Sequence, residues 1–289
     1  MKLTDINEIK RLAAAYGFRF SKSLGQNFLT DESVVYQTAE KSASNGVKNV
    51  IEVGPGFGVL TRELSKCYQK VVSVEIDRAV IPVLEETLAD CENVTVLNTD
   101  ILKININELI KEQFGGGPVN VAANLPYYIT TPVITSLLES NADIASITVM
   151  VQKEVATRLT AKCGSEDCGA ITAAVSYRAN AKKLFDVPPS AFIPQPKVTS
   201  SVISLELLPK PRVSVKDEKF FFEIISAAFG QRRKQLLNSL SNRFSAFSKQ
   251  EIAKAIEFAG LRSDVRGEKL TLENFAAICG FLTDLKETK

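Results

Sequence analysis

The sequence predicts an α/β fold: a doubly wound, largely parallel sheet followed by a smaller C-terminal α-helical domain. Three observations predict it. Apolar runs of strand length alternate with helix-length segments from Val47 to Val151. The turn Gly54-Pro55-Gly56-Phe57-Gly58 joins the first of these runs to a helical segment. Beyond Pro209-Lys210-Pro211 only helical periodicity remains, which puts the domain boundary between residues 208 and 209.

The elements follow in order. Residues 5 to 15 read as a short amphipathic helix, and Arg19 to Leu29 as a basic, polar loop. Lys10, Arg11, Arg19 and Lys22 make this arm a candidate phosphate contact, the plain alternative being solvated charge. Asp31 is placed to cap a helix through Ser42. Val47 to Val53 is a strand, and the glycine turn after it lets a ligand approach the backbone of Gly54 and Gly56; a helix follows from Val59 to Cys67. The spacing is G-x-G-x-G, not the dinucleotide fingerprint G-x-G-x-x-G. A second strand, Lys70 to Val74, ends at Glu75, a carboxylate placed to accept the hydroxyl hydrogens of a ribose. Asp77 caps the next helix, to about Leu88. The third strand, Asn93 to Asn98, ends near Asp100, which can accept a bond from an adenine amino group or cap a turn.

The fourth strand, Val119 to Ala123, leads into Asn124-Leu125-Pro126-Tyr127-Tyr128, where Pro126 stops the ladder. An exocyclic amine on a nucleobase is a weak nucleophile because its lone pair is delocalised into the ring. The Asn124 oxygen and a main-chain carbonyl of Leu125 or Pro126 can take its two N–H bonds, while Tyr127 stacks on the base. The other reading is a proline turn in which Asn124 bonds its own backbone and Tyr127 is core. A helix is expected to start at Thr130 or Thr131 with Pro132, and Ala145 to Val151 is a fifth strand. Lys153 to Ala161 and Ala170 to Asn180 read as helices. Ala181 to Val187 and Ser200 to Leu208 read as a hairpin across a loop that carries four prolines and presents Phe192 and Lys197. Phe192 suits the base face opposite Tyr127, or simple core packing. Three helices, Lys219 to Ser241, Lys249 to Phe258 and Thr271 to Leu285, complete the chain.

Composition excludes several chemistries. The chain has 289 residues, 45% of them hydrophobic, enough for a large core, and no apolar run approaches the roughly 18 residues of a membrane span. The start, Met1-Lys2-Leu3-Thr4-Asp5, lacks an apolar leader, so a cytoplasmic location is expected. There is no histidine, which removes Ser-His-Asp and Cys-His catalysis. The five scattered cysteines suggest neither a disulfide framework nor a zinc site, and no metal is expected. From Pro209 onward lie 15 of the 35 basic and 10 of the 33 acidic residues, leaving 20 and 23 before it, so the tail carries +5 and the body −3. A basic appendage with Gln231-Arg232-Arg233-Lys234 as its densest cluster suits a polyanionic partner.

Taken as an ordered set, Leu24-Gly25-Gln26-Asn27-Phe28-Leu29, Glu52 to Gly58, Glu75-Ile76-Asp77, Asp100, Asn124-Leu125-Pro126-Tyr127 and Phe192 to Val198 resemble the ribosomal RNA adenine dimethylase family, most closely its small-subunit branch. The resemblance covers nearly the whole chain. It implies a class I methyltransferase, Rossmann-like fold and transfer of methyl groups from S-adenosylmethionine to the N6 atoms of two adjacent adenosines in the 3′-terminal hairpin of 16S rRNA. The implied partner is this rRNA in the immature small subunit, with the protein a monomer. The resemblance further implies that Gln26, Asn27, Leu29, Gly54, Gly56, Glu75, Asp100 and Asn124 line the cofactor site. Asn124, Leu125, Pro126, Tyr127 and Phe192 then hold the target base, and Arg19, Lys22, Lys197, Arg232, Arg233 and Lys234 contact RNA. Rival readings are a large-subunit rRNA adenine methylase, a ribosome-assembly factor with secondary methylation, and a small-molecule methyltransferase that would have no use for the basic tail.

Overall fold

A computed structural model describes residues 1–18, 27–231 and 234–288. In chain order the elements are α1 (Ile6–Ala15), β1 (Phe28–Leu29), α2 (Glu32–Ser42), β2 (Asn49–Val53), α3 (Val59–Cys67), β3 (Lys70–Glu75), α4 (Ile81–Thr87), β4 (Val94–Asn98), α5 (Ile106–Phe114), β5 (Val119–Asn124), α6 (Tyr127–Glu139) and β6 (Ile144–Gln152). There follow α7 (Lys153–Thr160), α8 (Ala170–Arg178), β7 (Ala179–Val187), β8 (Phe192–Ile193), β9 (Ser200–Leu207), α9 (Glu218–Gly230), α10 (Leu236–Arg243), α11 (Lys249–Phe258) and α12 (Leu272–Glu287).

Seven strands form one sheet in the order β4-β3-β2-β5-β6-β9-β7. β4, β3, β2, β5 and β6 run parallel, and β9 is antiparallel to β6. The chain moves outward from β2 to β4 and then returns to the other side of β2 as β5. The strand order therefore reverses between β2 and β5, and their carboxyl ends open a crevice where α/β sheets bind ligands.

Continuous apolar runs make these strands because both faces are covered: Val50, Ile51, Val71, Val72, Val119, Val121 and Ala122 are fully buried. The polar residue inside β5 is fully bonded. Asn120 exchanges amide bonds with Asn45 at 2.8 and 2.9 Å, donates to the Ser42 carbonyl and accepts from Ser146. The network pins the amino end of β5, opposite the crevice.

The chain forms two compact units. One comprises Met1–Ala156 with Lys182–Leu207, the other Thr157–Ala181 with Leu208–Lys289. This partition differs from a single cut after residue 208, because Ala173 and Tyr177 of α8 pack into the apolar core of α9 to α12 with Phe221 and Ile224. Two helix boundaries also differ from expectation. α6 starts at Tyr127 and carries Pro132 inside it. The segment expected as one helix from Lys219 to Ser241 is two, α9 and α10. Among the described residues no helix is long and apolar enough to cross a membrane, and no group of acidic or cysteine side chains is placed to hold a metal ion.

Candidate active site

Four consecutive strand ends supply the crevice. At the end of β2 the chain turns through Gly54, Gly56 and Gly58, all at positive φ (70°, 55° and 82°). A Cβ on Gly54 would sit 3.3 Å from Leu125, and one on Gly56 3.2 Å from the Phe28 ring. Glycine is thus required twice over, by conformation and by closeness.

Glu75, at the end of β3, is buried and braces this loop. One of its carboxylate oxygens accepts from the Gly56 N–H at 3.3 Å and the other from the Asp77 N–H at 2.8 Å. Burial pushes its pKa up, and the backbone donors oppose the shift. Beneath the loop lies Glu52, whose Oε2 accepts from the hydroxyls of Thr61 (2.6 Å) and Ser73 (2.7 Å). Burial pushes the Glu52 carboxyl up to about 7. Sequence reasoning quoted Glu52 in its motif but assigned it no role; an acidic residue in an apolar strand is the signal that marks it. After β4, Asp100 caps a short 3₁₀ turn, one carboxylate oxygen accepting from the Leu102 N–H at 3.0 Å.

β5 ends at Asn124, whose side-chain amide makes no hydrogen bond with any described residue. The reading in which it bonds its own backbone is therefore not the one adopted here. Pro126 caps α6 without a side-chain bond, and its carbonyl accepts from the Thr130 hydroxyl at 3.1 Å. Tyr127 is half-buried, with its hydroxyl 2.7 Å from the Ser200 Oγ on β9. Burial raises the Tyr127 pKa, keeping the phenol neutral.

The opposite wall comes from a two-stranded ladder, with Leu29 of β1 opposite Phe192 of β8 and Phe28 opposite Ile193. Sequence reasoning placed both segments in loops; two-residue strands are too short to show a period. Phe192 is buried and lines the crevice.

One cleft thus collects Asn27, Leu29, Gly54, Gly56, Glu75, Asp100, Asn124, Leu125, Pro126, Tyr127 and Phe192, all singled out from the sequence. Lys197 is exposed and does not line it, and Lys234 is exposed in the second unit between α9 and α10. Gln26, Arg19, Lys22, Arg232 and Arg233 lie outside the described residues. Arg11, of the basic arm, is engaged by Glu8 at 2.9 Å and Glu86 at 2.8 Å.

Comparison with known proteins bears on the family and the fold. The profile of the family described as "Ribosomal RNA adenine dimethylase" matches residues 17–284. The chain is 45% identical over 277 residues to the ribosomal RNA small subunit methyltransferase A of Alkaliphilus metalliredigens, covering 96% of each chain. It is 44% identical over 288 residues to the protein of the same name from Clostridioides difficile, covering 100% of this chain and 99% of that one. Among solved structures, its fold is similar to a dimethyladenosine transferase from Plasmodium falciparum, with a TM-score of 0.69, 22% identity and coverage of 90% of this chain and 97% of that one. It is also similar to the 23S rRNA methyltransferase ErmE, with a TM-score of 0.63, 24% identity and coverage of 89% and 100%.

Proposed function

The chain belongs to the ribosomal RNA adenine dimethylase family, and from that premise we propose that it dimethylates, from S-adenosylmethionine, the N6 atoms of two adjacent adenosines in the 3′-terminal hairpin of 16S rRNA. An immature small subunit in the cytoplasm is the substrate. The names of the relatives favour the small-subunit rRNA over the large. The observation that carries the reading is Asn124: a side-chain amide with no partner among the described residues, at the carboxyl end of β5, in the same cleft as Glu75 and Asp100.

The cleft fits an adenosyl cofactor. Glycines 54 and 56 keep side chains out of the space over the β2 turn. Glu75 is held by two backbone donors with lone pairs left for ribose hydroxyls, and Asp100 has one oxygen committed to its cap, while the other, 3.9 Å from the exposed Lys103 ammonium, keeps a lone pair for an adenine amine. Asn27 and Leu29 also line the cleft. When bound, S-adenosylmethionine supplies a methyl group already made electrophilic by its sulfonium.

The chain's own task is to present a weak nucleophile in line. Asn124 and the main-chain carbonyl of Leu125 accept the two N6 hydrogens, the Pro126 carbonyl being taken by the Ile129 N–H and the Thr130 hydroxyl, which favours a geometry with the nitrogen lone pair free. Tyr127 stacks on one face of the base and Phe192 bounds the other. Proximity and alignment of this kind lower a barrier by roughly 7 to 11 kcal/mol at best. The amine sheds its proton after attack, so no strong general base is needed, and Glu52 is already committed to Thr61 and Ser73.

The test is incubation with labelled S-adenosylmethionine and small subunits from a strain lacking this methylation, followed by mapping of the label. Two adjacent dimethylated adenosines near the 3′ end of 16S rRNA are expected. Label on large-subunit RNA, or transfer that needs no RNA, would overturn the proposal.

A further inference from the structure

Beyond the cleft, the same sheet edge carries a cluster to which the reading above gives no task. The register of β5 and β6 sets Asn124 opposite Met150, and the register of β6 and β9 sets Gln152 opposite Ser200, the residue that holds Tyr127. The next residue is Lys153, whose N–H donates to the Thr199 carbonyl at 3.0 Å. The Lys153 ammonium lies 3.2 Å from the carboxylate of Asp186, near the end of β7, and the Lys183 ammonium lies 3.2 Å from that same carboxylate. Asp186 is itself tied to β9, accepting from the Ser201 hydroxyl at 2.6 Å.

Two cations share one anion, so the cluster keeps a net positive charge, and its members are pinned to three different strands or their ends. The Ser201 bond and the two lysines hold the Asp186 carboxyl down at about 2, so the anion persists at any working pH. The lysine side chains are 57% and 47% exposed. Lys197, two residues before Thr199, is exposed and adds to the sign, while exposed Glu154 subtracts one charge. A solvated ion-pair cluster needs no second lysine. A surplus ammonium, held a few residues along the sheet edge from the turn that carries Asn124 and Tyr127, suits the phosphodiester of a strand whose base is in the cleft.

We propose that Lys153 and Lys183, organised by Asp186, form a phosphate-contact site for the single-stranded RNA flanking the target adenosine. The inference rests on the function proposed above. A nucleotide drawn into the cleft leaves its neighbours' phosphates at the rim. This site fixes the path of that backbone and therefore acts on RNA affinity, with no contact to the cofactor.

The experiment measures binding of the full chain to undermethylated small subunits across a range of salt, for wild type and for Lys153→Gln with Lys183→Gln. Each lost contact to a single strand should lower the slope of log affinity against log salt by about 0.7, so a fall of about 1.4 is expected, with thermal midpoint and cofactor affinity unchanged. Asp186→Asn serves as the second variant. It keeps both ammoniums but releases them, and should weaken binding at fixed salt although net positive charge has risen; tighter binding would show that Asp186 only neutralises. An unchanged slope in the double variant would overturn the site, as would weaker binding at an unchanged slope, which points to a protein surface of the subunit. Wild-type chain that transfers no methyl group to these subunits would instead overturn the function itself, and this inference with it.

Discussion

The Tyr127 hydroxyl and the Ser200 Oγ lie 2.7 Å apart, which fastens the first residue of α6 to the first residue of β9 across the carboxyl edge of the sheet. The bond sets the direction of a ring that lines the cleft, and Ser200 is fully buried, so its hydroxyl has no alternative partner in water.

Tyr127→Phe should therefore separate ring from hydroxyl. It leaves the buried Ser200 hydroxyl unpaired, a cost of roughly 1 to 3 kcal/mol, and should lower the thermal midpoint while most of the single-turnover methylation rate survives. Tyr127→Ala removes the stacking surface itself, worth about 1 to 3 kcal/mol per base, and should weaken capture of the target adenosine. Scanning calorimetry and single-turnover transfer on both variants check the pair. Equal loss of rate in the two would show that the hydroxyl, not the ring, does the holding.

Glu75→Ala should weaken S-adenosylmethionine binding by roughly 1.5 to 3 kcal/mol, the value of hydrogen bonds to a charged group. Its bonds to the Gly56 and Asp77 N–H groups give the substitution a second effect, a looser glycine turn. Titration calorimetry measures the affinity, and hydrogen exchange at Gly56 the loosening. Unchanged affinity would remove Glu75 from the cofactor site.

The strand ends were legible because their chemistry is local. Glycines at a strand-to-helix turn, a proline that stops a ladder and carboxylates after apolar runs mark their own places, so Gly54, Glu75, Asp100 and Asn124 are readable in the sequence. What was not legible depends on distant partners. Ser200 is one serine among many until β9 is seen beside β6. The ladder of β1 with β8 joins residues more than a hundred positions apart. Pro132 misled the reading of α6, because a proline reads as a helix start; here it stands in the second turn, and Val133, Ile134, Leu137 and Leu138 bury the face that holds the helix down. The break between α9 and α10 is hidden because Gln231, Arg232, Arg233, Lys234 and Gln235 are all good helix formers, with no proline to mark a stop.

Stability should fall as pH rises toward neutrality because of Glu52. The folded chain holds its proton up to about 7, whereas in the unfolded chain the carboxyl titrates near its ordinary value of 4.5. Between those values the unfolded state has released a proton that the folded state keeps, so the contribution is complete below about 4.5 and is lost as pH rises through about 7. The span corresponds to at most about 3 kcal/mol. Glu75, also buried, shifts in the same direction. Urea denaturation of wild type and Glu52→Gln between pH 5 and pH 8 should show a falling stability in the first and a flatter profile in the second; parallel profiles would exclude Glu52 as the source.

Asn124→Ala tests the chemistry most directly. The Asn124 amide makes no bond among the described residues, so its loss should cost little stability, and a thermal midpoint close to wild type is expected. Its proposed work is to accept an N6 hydrogen as that nitrogen attacks, an interaction stronger in the transition state than in the bound substrate. The substitution should therefore lower the single-turnover rate at saturating S-adenosylmethionine far more than it weakens RNA binding. Loss of one such oriented bond predicts a fall on the order of 10²-fold to 10³-fold, by comparison with removing one oxyanion donor elsewhere. Asn124→Asp sharpens the test, since it keeps an acceptor but adds a negative charge beside the Leu125 and Pro126 carbonyls. Rate and RNA affinity measured on the same preparations decide the matter. A near-normal rate in Asn124→Ala would leave the β5 turn a structural feature only and would take the proposed mechanism with it.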